Sequence, residues 1–185
     1  MAPQIMRVAT AVDVHAFEPE SYPESGVASG RAQSVATEPH TLLQRRPLML
    51  ACLEWPGERA LAGHSDGDVA AHAACDAILI AAGVGEMGTV FGVDRPEFAG
   101  ASGEMFLREA LRLARGAGFG VTNISVQIVA QQPRFSPRKA AAEERMSAIV
   151  GAPVAVAATT TDHLGFIGAG EGIAAIATAL LHGIE

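Results

Sequence analysis

The sequence is poor in lysine, cysteine and aromatic residues. Of the 13 basic residues only Lys139 is a lysine, and 20 acidic residues bring the formal net charge of the 185-residue chain to −7. Proteins that bind nucleic acids by neutralising phosphates carry basic patches, so this balance argues against nucleic-acid binding. The two cysteines, Cys52 and Cys75, are too few for a disulfide scaffold and lack the paired spacing of a thiolate metal site. We therefore expect two buried thiols in a reducing, cytoplasmic protein.

Long apolar runs are also missing. No stretch reaches the roughly 18 residues of a membrane span, and the first ten residues lack the pattern of a signal peptide. Hydrophobic residues nevertheless make up 49% of the chain and charged residues only 18%, which argues against disorder. The composition predicts one domain spanning residues 1–185, with a large core and some apolar surface buried between subunits.

The hydrophobic pattern predicts a layered α/β (α+β) domain, with a mostly β sheet packed on helices. Between Glu18 and Arg46 the pattern stops, and prolines and glycines lie among polar residues. We expect residues 18–46 to be a loop inserted between the first two strands, which could pair as a hairpin. The loop is either a tolerated surface insertion or a lid that brings His40 to a site near His15. The predicted strands are 5–14, 47–55, 121–130 and 153–160; the predicted helices are 64–83, 102–115, 136–150 and 173–181.

Asp13 and His15 lie two residues apart on a predicted strand, so their side chains point to the same face. Asp68, His72 and Asp76 are spaced by four on the first predicted helix and share a face of it. Asp13, His15 and His72 would form a three-ligand set suited to zinc or another divalent metal, with one position open. Taken alone, each of these residues is equally explained by a structural role.

Two glycine-containing polar segments could approach phosphate. Residues 64–68, with the sequence HSDGD, lead into the first helix, where free backbone N–H groups attract anions; the same acids also serve as helix caps. Residues 159–162, with the sequence TTTD, precede a glycine-rich stretch in which turns alone explain most glycines.

Together these segments are far more specific than each one alone. D-V-H at 13–15, H-S-D-G-D-V-x-x-H-A-x-x-D at 64–76 and A-T-T-T-D-x-L-G-F-x-G-x-G-E-G-I-A at 158–174 resemble the 2-C-methyl-D-erythritol 2,4-cyclodiphosphate synthase family. The resemblance implies a homotrimer around a central apolar cavity, with active sites between subunits. It also implies release of CMP from a cytidine diphosphate substrate in non-mevalonate isoprenoid synthesis.

The resemblance also implies a role for each matching residue. Zinc would be bound by Asp13, His15 and His72, and a second ion, Mg²⁺ or Mn²⁺, by Asp162. His64 and Thr160 match catalytic positions, and Phe166 faces the central cavity. The substrate-binding positions are Ser65, Glu86, Gly88, Ala130, Pro133, Arg134, Phe135, Ala158 and Thr159.

Five positions depart from the family pattern. Ala9 and Ala11 stand where glycines are usual, Glu86 replaces an aspartate, and Ala169 replaces an arginine of the central cavity. Arg95 occupies a position that is often acidic in the family. Two alternatives to a cyclising enzyme therefore stay open: a weakly active or non-catalytic metal-binding relative, and a zinc phosphohydrolase.

Overall fold

A computed structural model describes residues 5–19, 46–63, 65–92 and 100–184 of the chain. Its main feature is a four-stranded mixed sheet with the strand order β1-β6-β4-β5. Strand β6 lies in the centre and pairs antiparallel with β1 and β4, whereas β4 and β5 run parallel. The predicted α/β class is confirmed. The strands of this sheet are β1 (Met6–Ala16), β4 (Phe119–Val129), β5 (Val154–Thr159) and β6 (Gly172–Gly183).

The prediction of a helix over 173–181 is wrong, because these residues form β6. Eleven consecutive pairs join β6 to β1, from Met6–His182 to Ala16–Gly172. This run is apolar on both faces and so lacks the alternation of apolar and polar residues, and its periodicity does not distinguish a central strand from a buried helix. A Cβ at Gly172 would lie 2.4 Å from the His15 carbonyl oxygen, so this glycine permits the close strand pairing beside the site.

Residues 47–55 were expected to form one strand that could pair with β1, but they do not. They form a separate hairpin of β2 (Leu48–Leu50) and β3 (Leu53–Trp55). Between the two strands Ala51 and Cys52 adopt φ values of 55° and 58°, the backbone conformation of a two-residue hairpin turn. The buried Asp68 carboxylate accepts both of their N–H groups, at 2.9 and 2.6 Å. Because this buried carboxylate accepts both N–H groups, two non-glycine residues can occupy the turn.

Three longer helices cover one face of the sheet: α1 (Val69–Ala82), α3 (Gly103–Gly116) and α4 (Lys139–Val150). Asp68 caps α1 through the N–H of Ala71 at 3.1 Å, and Gly83 ends it in the left-handed conformation. Helix α1 is buried on nearly all sides, since it packs between β1, β6 and α3. The predicted cap at Ser136 is not formed, because Ser136–Arg138 is a short 3-10 turn that precedes α4. Two single-turn helices complete the described part of the chain, α2 (Met87–Val90) and α5 (Gly165–Gly168).

The other face of the sheet carries exposed apolar side chains. Met6, Val8, Val12 and Val14 alternate along β1 and are 48%, 66%, 60% and 48% exposed. Their partners on β6 include Leu180 and Ile176, which continue the apolar surface. A contiguous apolar surface of this kind marks an interface. Within the described part of the chain, no helix is long and apolar enough to cross a membrane.

Candidate functional site

The predicted set of Asp13, His15 and His72 comes together at the end of β1 and the first turn of α1. His15 Nε2 lies 3.1 Å from Asp13 Oδ2, and His72 Nδ1 lies 3.2 Å from the same oxygen and 3.4 Å from His15 Nε2. Tetrahedral zinc with bonds of about 2.0–2.1 Å separates its ligand atoms by about 3.3 Å. One carboxylate oxygen and two imidazole nitrogens therefore already stand at the spacing that such an ion requires.

The second nitrogen of each imidazole has its own partner. His15 Nδ1 lies 2.6 Å from the carbonyl oxygen of Ala62, and His72 Nε2 lies 3.2 Å from the hydroxyl of Ser65. Outer contacts of this kind fix ring orientation and tautomer in metal sites. They leave His15 Nε2 and His72 Nδ1 directed at Asp13, as metal ligation requires.

Electrostatics at the triad favour a bound cation. Burial acts to raise the pKa of Asp13, but hydrogen bonds with His15 and His72 and the charge of both rings outweigh it, so the pKa lies well below its ordinary value. The hydrogen bond to Asp13 raises the pKa of His15, although burial acts against it. The ionised Asp13 carboxylate thus favours a proton on His15 when no metal is bound. A divalent metal would displace that proton.

The loop before α1 holds Ser65 and two aspartates against the triad. The Ser65 hydroxyl accepts the N–H of Gly67 at 3.3 Å while it contacts His72. Arg46 donates to the Ser65 carbonyl oxygen at 2.7 Å and pairs with Glu18. Glu18 and Arg46, the two ends of the predicted insertion, therefore lie side by side next to this loop. His64, and His40 with the proposed lid, lie outside the described residues.

Asp76 connects the triad region to Glu86 and Gly88. One turn after His72, the Asp76 carboxylate accepts the N–H of Met87 at 2.6 Å. Glu86 caps α2, where its backbone N–H bonds to Thr89 Oγ1 at 3.2 Å, and its side chain is exposed. This contact sets α2 at the C-terminal half of α1.

A second set of predicted residues lies where β4 and β5 end. The N–H of Ala130 bonds to the carbonyl of Thr159 at 3.0 Å, and a cis peptide bond precedes Pro133. The Phe135 ring stacks on Trp55 with centroids 5.6 Å apart. Beside them, Gln131 Nε2 is buried without a hydrogen-bond partner in the described structure. An orphaned buried donor indicates a site for a ligand or another chain.

The remaining residues of this second set are exposed around the same strand ends. Arg134, Ala158 and Thr159 lie on the surface there. Thr160 Oγ1 lies 3.4 Å from Asp162 Oδ1, and Asp162 has a φ of 50°. Phe166, on α5, is 48% exposed. A hydroxyl, a carboxylate and an arginine thus lie unshielded on one edge of the sheet.

One chain does not bring the two sets together. The triad lies at β1 and the second set at β4 and β5, at opposite edges of a sheet ordered β1-β6-β4-β5. At about 4.8 Å per strand, three spacings separate these edges by about 14 Å. The arrangement offers a candidate metal centre at one edge and a group of exposed polar side chains at the other.

Sequence reasoning missed the contacts that support the triad. The Ala62 carbonyl has no sequence signature, since every residue carries one. Asp76 was grouped with His72 by its spacing, but it bonds to Met87 rather than to the triad. The only signal of these contacts in the sequence was the density of acidic residues over 66–76.

Comparison with protein families gives a match over most of the chain. The model of the YgbB family matches residues 32–182. Asp13 and His15 precede that range, and His72 lies within it.

Individual relatives agree with the family match. A bifunctional enzyme IspD/IspF of Clavibacter michiganensis is 54% identical over 158 residues, which cover 85% of this chain but only 38% of the relative. A 2-C-methyl-D-erythritol 2,4-cyclodiphosphate synthase of Acidothermus cellulolyticus is 45% identical over 175 residues, or 95% of this chain and 93% of the relative. A solved 2C-methyl-D-erythritol-2,4-cyclodiphosphate synthase with CDP bound superposes with a TM-score of 0.74 at 28% identity, covering 95% of this chain and 99% of that one.

Proposed function

The chain belongs to the YgbB family, and from that premise we propose that it is a 2-C-methyl-D-erythritol 2,4-cyclodiphosphate synthase that works with a divalent metal. Its substrate would be 4-diphosphocytidyl-2-C-methyl-D-erythritol 2-phosphate. An oxygen of the 2-phosphate attacks the β-phosphorus, the bond from that phosphorus to the α–β bridging oxygen breaks, and CMP leaves. The nucleophile belongs to the substrate, so the protein has to position the substrate and neutralise the charge of its phosphates.

The observation that carries this proposal is the spacing of Asp13, His15 and His72. These residues would hold zinc, since their ligand atoms lie 3.1–3.4 Å apart and both outer imidazole nitrogens are occupied. A bound Zn²⁺ supplies Lewis acidity at a phosphoryl oxygen. In a protein of net charge −7, a local cation of this kind also offsets repulsion of a polyanionic substrate.

Residues around the triad would orient the phosphates. With the metal on Nδ1, His72 Nε2 would carry the proton, so it and the Gly67 N–H would both donate to the Ser65 hydroxyl. The hydroxyl proton would then be available to a phosphate oxygen. We assign His64 to the same phosphates and Glu86 and Gly88 to the erythritol end of the substrate. Asp76 would hold these last two in place through Met87.

The edge formed by β4 and β5 would bind the cytidine diphosphate portion. Backbone groups suit base recognition there, and the orphaned Gln131 amide is a further donor for it. Asp162 would bind the second ion, Mg²⁺ or Mn²⁺, on the diphosphate, and Thr160 would donate to the transition state. CDP is the ligand bound by the solved relative. The pocket residues are Ala130, Pro133, Arg134, Phe135, Ala158 and Thr159.

A complete site would need two chains. Because the triad and the nucleotide pocket lie at opposite edges of one sheet, we propose that each site combines the triad of one subunit with the pocket of its neighbour in a homotrimer. The exposed valines of β1 support this assembly, since each is half to two-thirds exposed and burying the rest of its side chain would contribute about 1–2 kcal/mol. In that trimer Phe166 would face the central cavity, and residues 18–46 would remain an insertion outside the sheet.

The positions that depart from the family pattern differ in their structural consequences. Ala9 and Ala11 lie in regular β1 pairs, with Ala179 and Ala177, and neither has a positive φ. Alanine is therefore tolerated there without strain. Ala169 is exposed on the surface beside α5 and concerns only the cavity. The phosphohydrolase alternative remains a second candidate, because three protein ligands leave a metal position open to water.

Metal removal tests the proposal. Chelation should abolish CMP release from the cytidyl substrate, and zinc with magnesium should restore it. His72→Ala should release no CMP under the same conditions, because two ligands do not retain the metal. CMP release by this variant at the parent rate would contradict the metal assignment.

A further inference from the structure

Asp66 makes three hydrogen bonds, and it belongs neither to the metal triad nor to the proposed nucleotide-binding residues. Its Oδ2 accepts the N–H of Gly103 at 2.7 Å, and its Oδ1 accepts the N–H of Asp68 at 3.1 Å. Its own N–H donates to the carbonyl of Ala101 at 3.1 Å. The side chain is only 14% exposed. Asp66 therefore joins the loop before α1 to the beginning of α3.

The same carboxylate faces the outer nitrogen of His72. Asp66 Oδ1 lies 4.0 Å from His72 Nε2, on the side where Ser65 Oγ lies at 3.2 Å. The outer nitrogen of this predicted ligand thus has a hydroxyl in contact and a carboxylate 4.0 Å away. Its counterpart on His15 has only the Ala62 carbonyl.

Helix α3 is packed tightly against the turn that carries His72. A Cβ at Gly103 would lie 2.6 Å from Ala71 Cβ and 3.0 Å from Asp68 Cβ, so nothing larger than glycine fits there. Phe106, one turn later, meets the His72 ring edge to face at 5.6 Å. A shift of the N-terminus of α3 would therefore displace the His72 ring.

We propose that Asp66 is a positioning residue of the metal centre: its carboxylate fixes the orientation of His72 as a metal ligand and ties that ring to the start of α3. A carboxylate that accepts a hydrogen bond from a ligating histidine is worth about 10–100-fold in metal affinity. Asp66 lies 4.0 Å from His72 Nε2, beyond hydrogen-bond distance, so its charge and its support of the loop that carries Ser65 act with a smaller effect. The inference rests on the proposed metal-dependent function.

Metal titration of the purified full chain tests the inference without substrate. Asp66→Asn keeps the size of the side chain but removes its charge, and we expect its affinity for Zn²⁺ and Co²⁺ to fall by about three- to tenfold, less than for a hydrogen-bonded partner. Glu109→Gln is the matched control, because it also neutralises a carboxylate, one that pairs with Arg112 further along α3. We expect it to keep the parent affinity. Equal affinity in parent and Asp66→Asn, or an equal loss in both variants, would overturn the inference.

A measurement on the parent protein covers the case in which Asp66→Asn does not fold. In the zinc-loaded protein, the ¹⁵N shifts of His72 should show a protonated Nε2 and a metal-bound Nδ1. Metal on Nε2 would place the ion where Asp66 now lies and overturn the inference. Both tests are independent of turnover: a chain that binds zinc but forms no cyclic product refutes the proposed function and leaves the role of Asp66 intact.

Discussion

The His15 ring packs against the segment Ala62–Gly63. Its Nδ1 meets the Ala62 carbonyl oxygen, and a Cβ at Gly63 would approach its Cε1 and Nδ1 to 3.2 and 3.3 Å. The strand spacing predicted which face His15 occupies, because alternation along a strand is fixed by geometry. The neighbours that hold the ring were not predictable, since a carbonyl and a missing methyl group leave no pattern in the sequence.

Gly63→Ala should displace the His15 ring and weaken metal binding, with the fold retained. The ring would have to move by a few tenths of an ångström to make room for the methyl group, so we expect a loss of zinc affinity of up to about tenfold, the lower end of the range for outer contacts of a ligand. Isothermal titration with zinc measures it. Gly116→Ala is the control, because a Cβ there meets nothing within 4 Å. Parent affinity in Gly63→Ala would show that the ring adjusts freely.

The stability gained from zinc should grow with pH. The pKa of His15 is raised by Asp13, so this pair stabilises the metal-free protein fully below about pH 6.5, the unperturbed histidine pKa. That contribution is lost as the pH rises through the raised pKa, while metal binding becomes easier because no proton has to leave. The difference in Tm between zinc-loaded and chelated protein should therefore increase from pH 6 to pH 8. A constant or decreasing difference would contradict the assignment of His15 as a ligand.

The elements of the fold differ in how far the sequence determines them. Strand β1 and helices α1 and α3 were predicted within a few residues, because each begins or ends at a clear cap or break. Strand β6 was not, since apolar residues on both faces remove the alternation that identifies a strand. The hairpin of β2 and β3 was missed because its turn, Ala51–Cys52, has no glycine or asparagine and depends on the distant Asp68 carboxylate.

Asp68→Ala should therefore destabilise two elements together. The substitution removes the cap of α1, worth about 1 kcal/mol, and leaves the buried N–H groups of Ala51 and Cys52 without an acceptor, at about 1–3 kcal/mol each. We expect a loss of about 3 kcal/mol or more in urea denaturation. Ser102→Ala, which removes only the cap of α3, should cost about 1 kcal/mol. Equal losses in the two variants would mean that Asp68 does not stabilise the hairpin.

At the scale of the whole molecule, one face of the sheet is covered by helices and the other exposes the apolar side chains of β1 and β6. The composition predicted apolar surface beyond one core, but not its place, because that place depends on the pairing of β1 with β6. The separation of the metal triad from the proposed nucleotide-binding residues follows from the same strand order. The proposed shared site and the exposed apolar face thus depend on one topology.

Mixing two inactive variants tests the shared site. His72→Ala removes a metal ligand and Asp162→Ala removes the proposed ligand of the second ion, so each should be inactive alone. If the chains are unfolded together in equal amounts and reassembled, about a quarter of the sites in a trimer combine one intact half from each neighbour. We expect about that fraction of parent CMP release. No recovery in verified mixed trimers would mean that each site lies within one chain.

The most direct test of the central claim is ³¹P NMR of the purified chain incubated with the cytidyl substrate, zinc and magnesium. The account predicts the resonances of a cyclic diphosphate and of CMP in equal amounts, and neither with His72→Ala. Linear phosphate products would instead identify a phosphohydrolase. The absence of any turnover by the zinc-loaded chain would contradict the proposed enzyme.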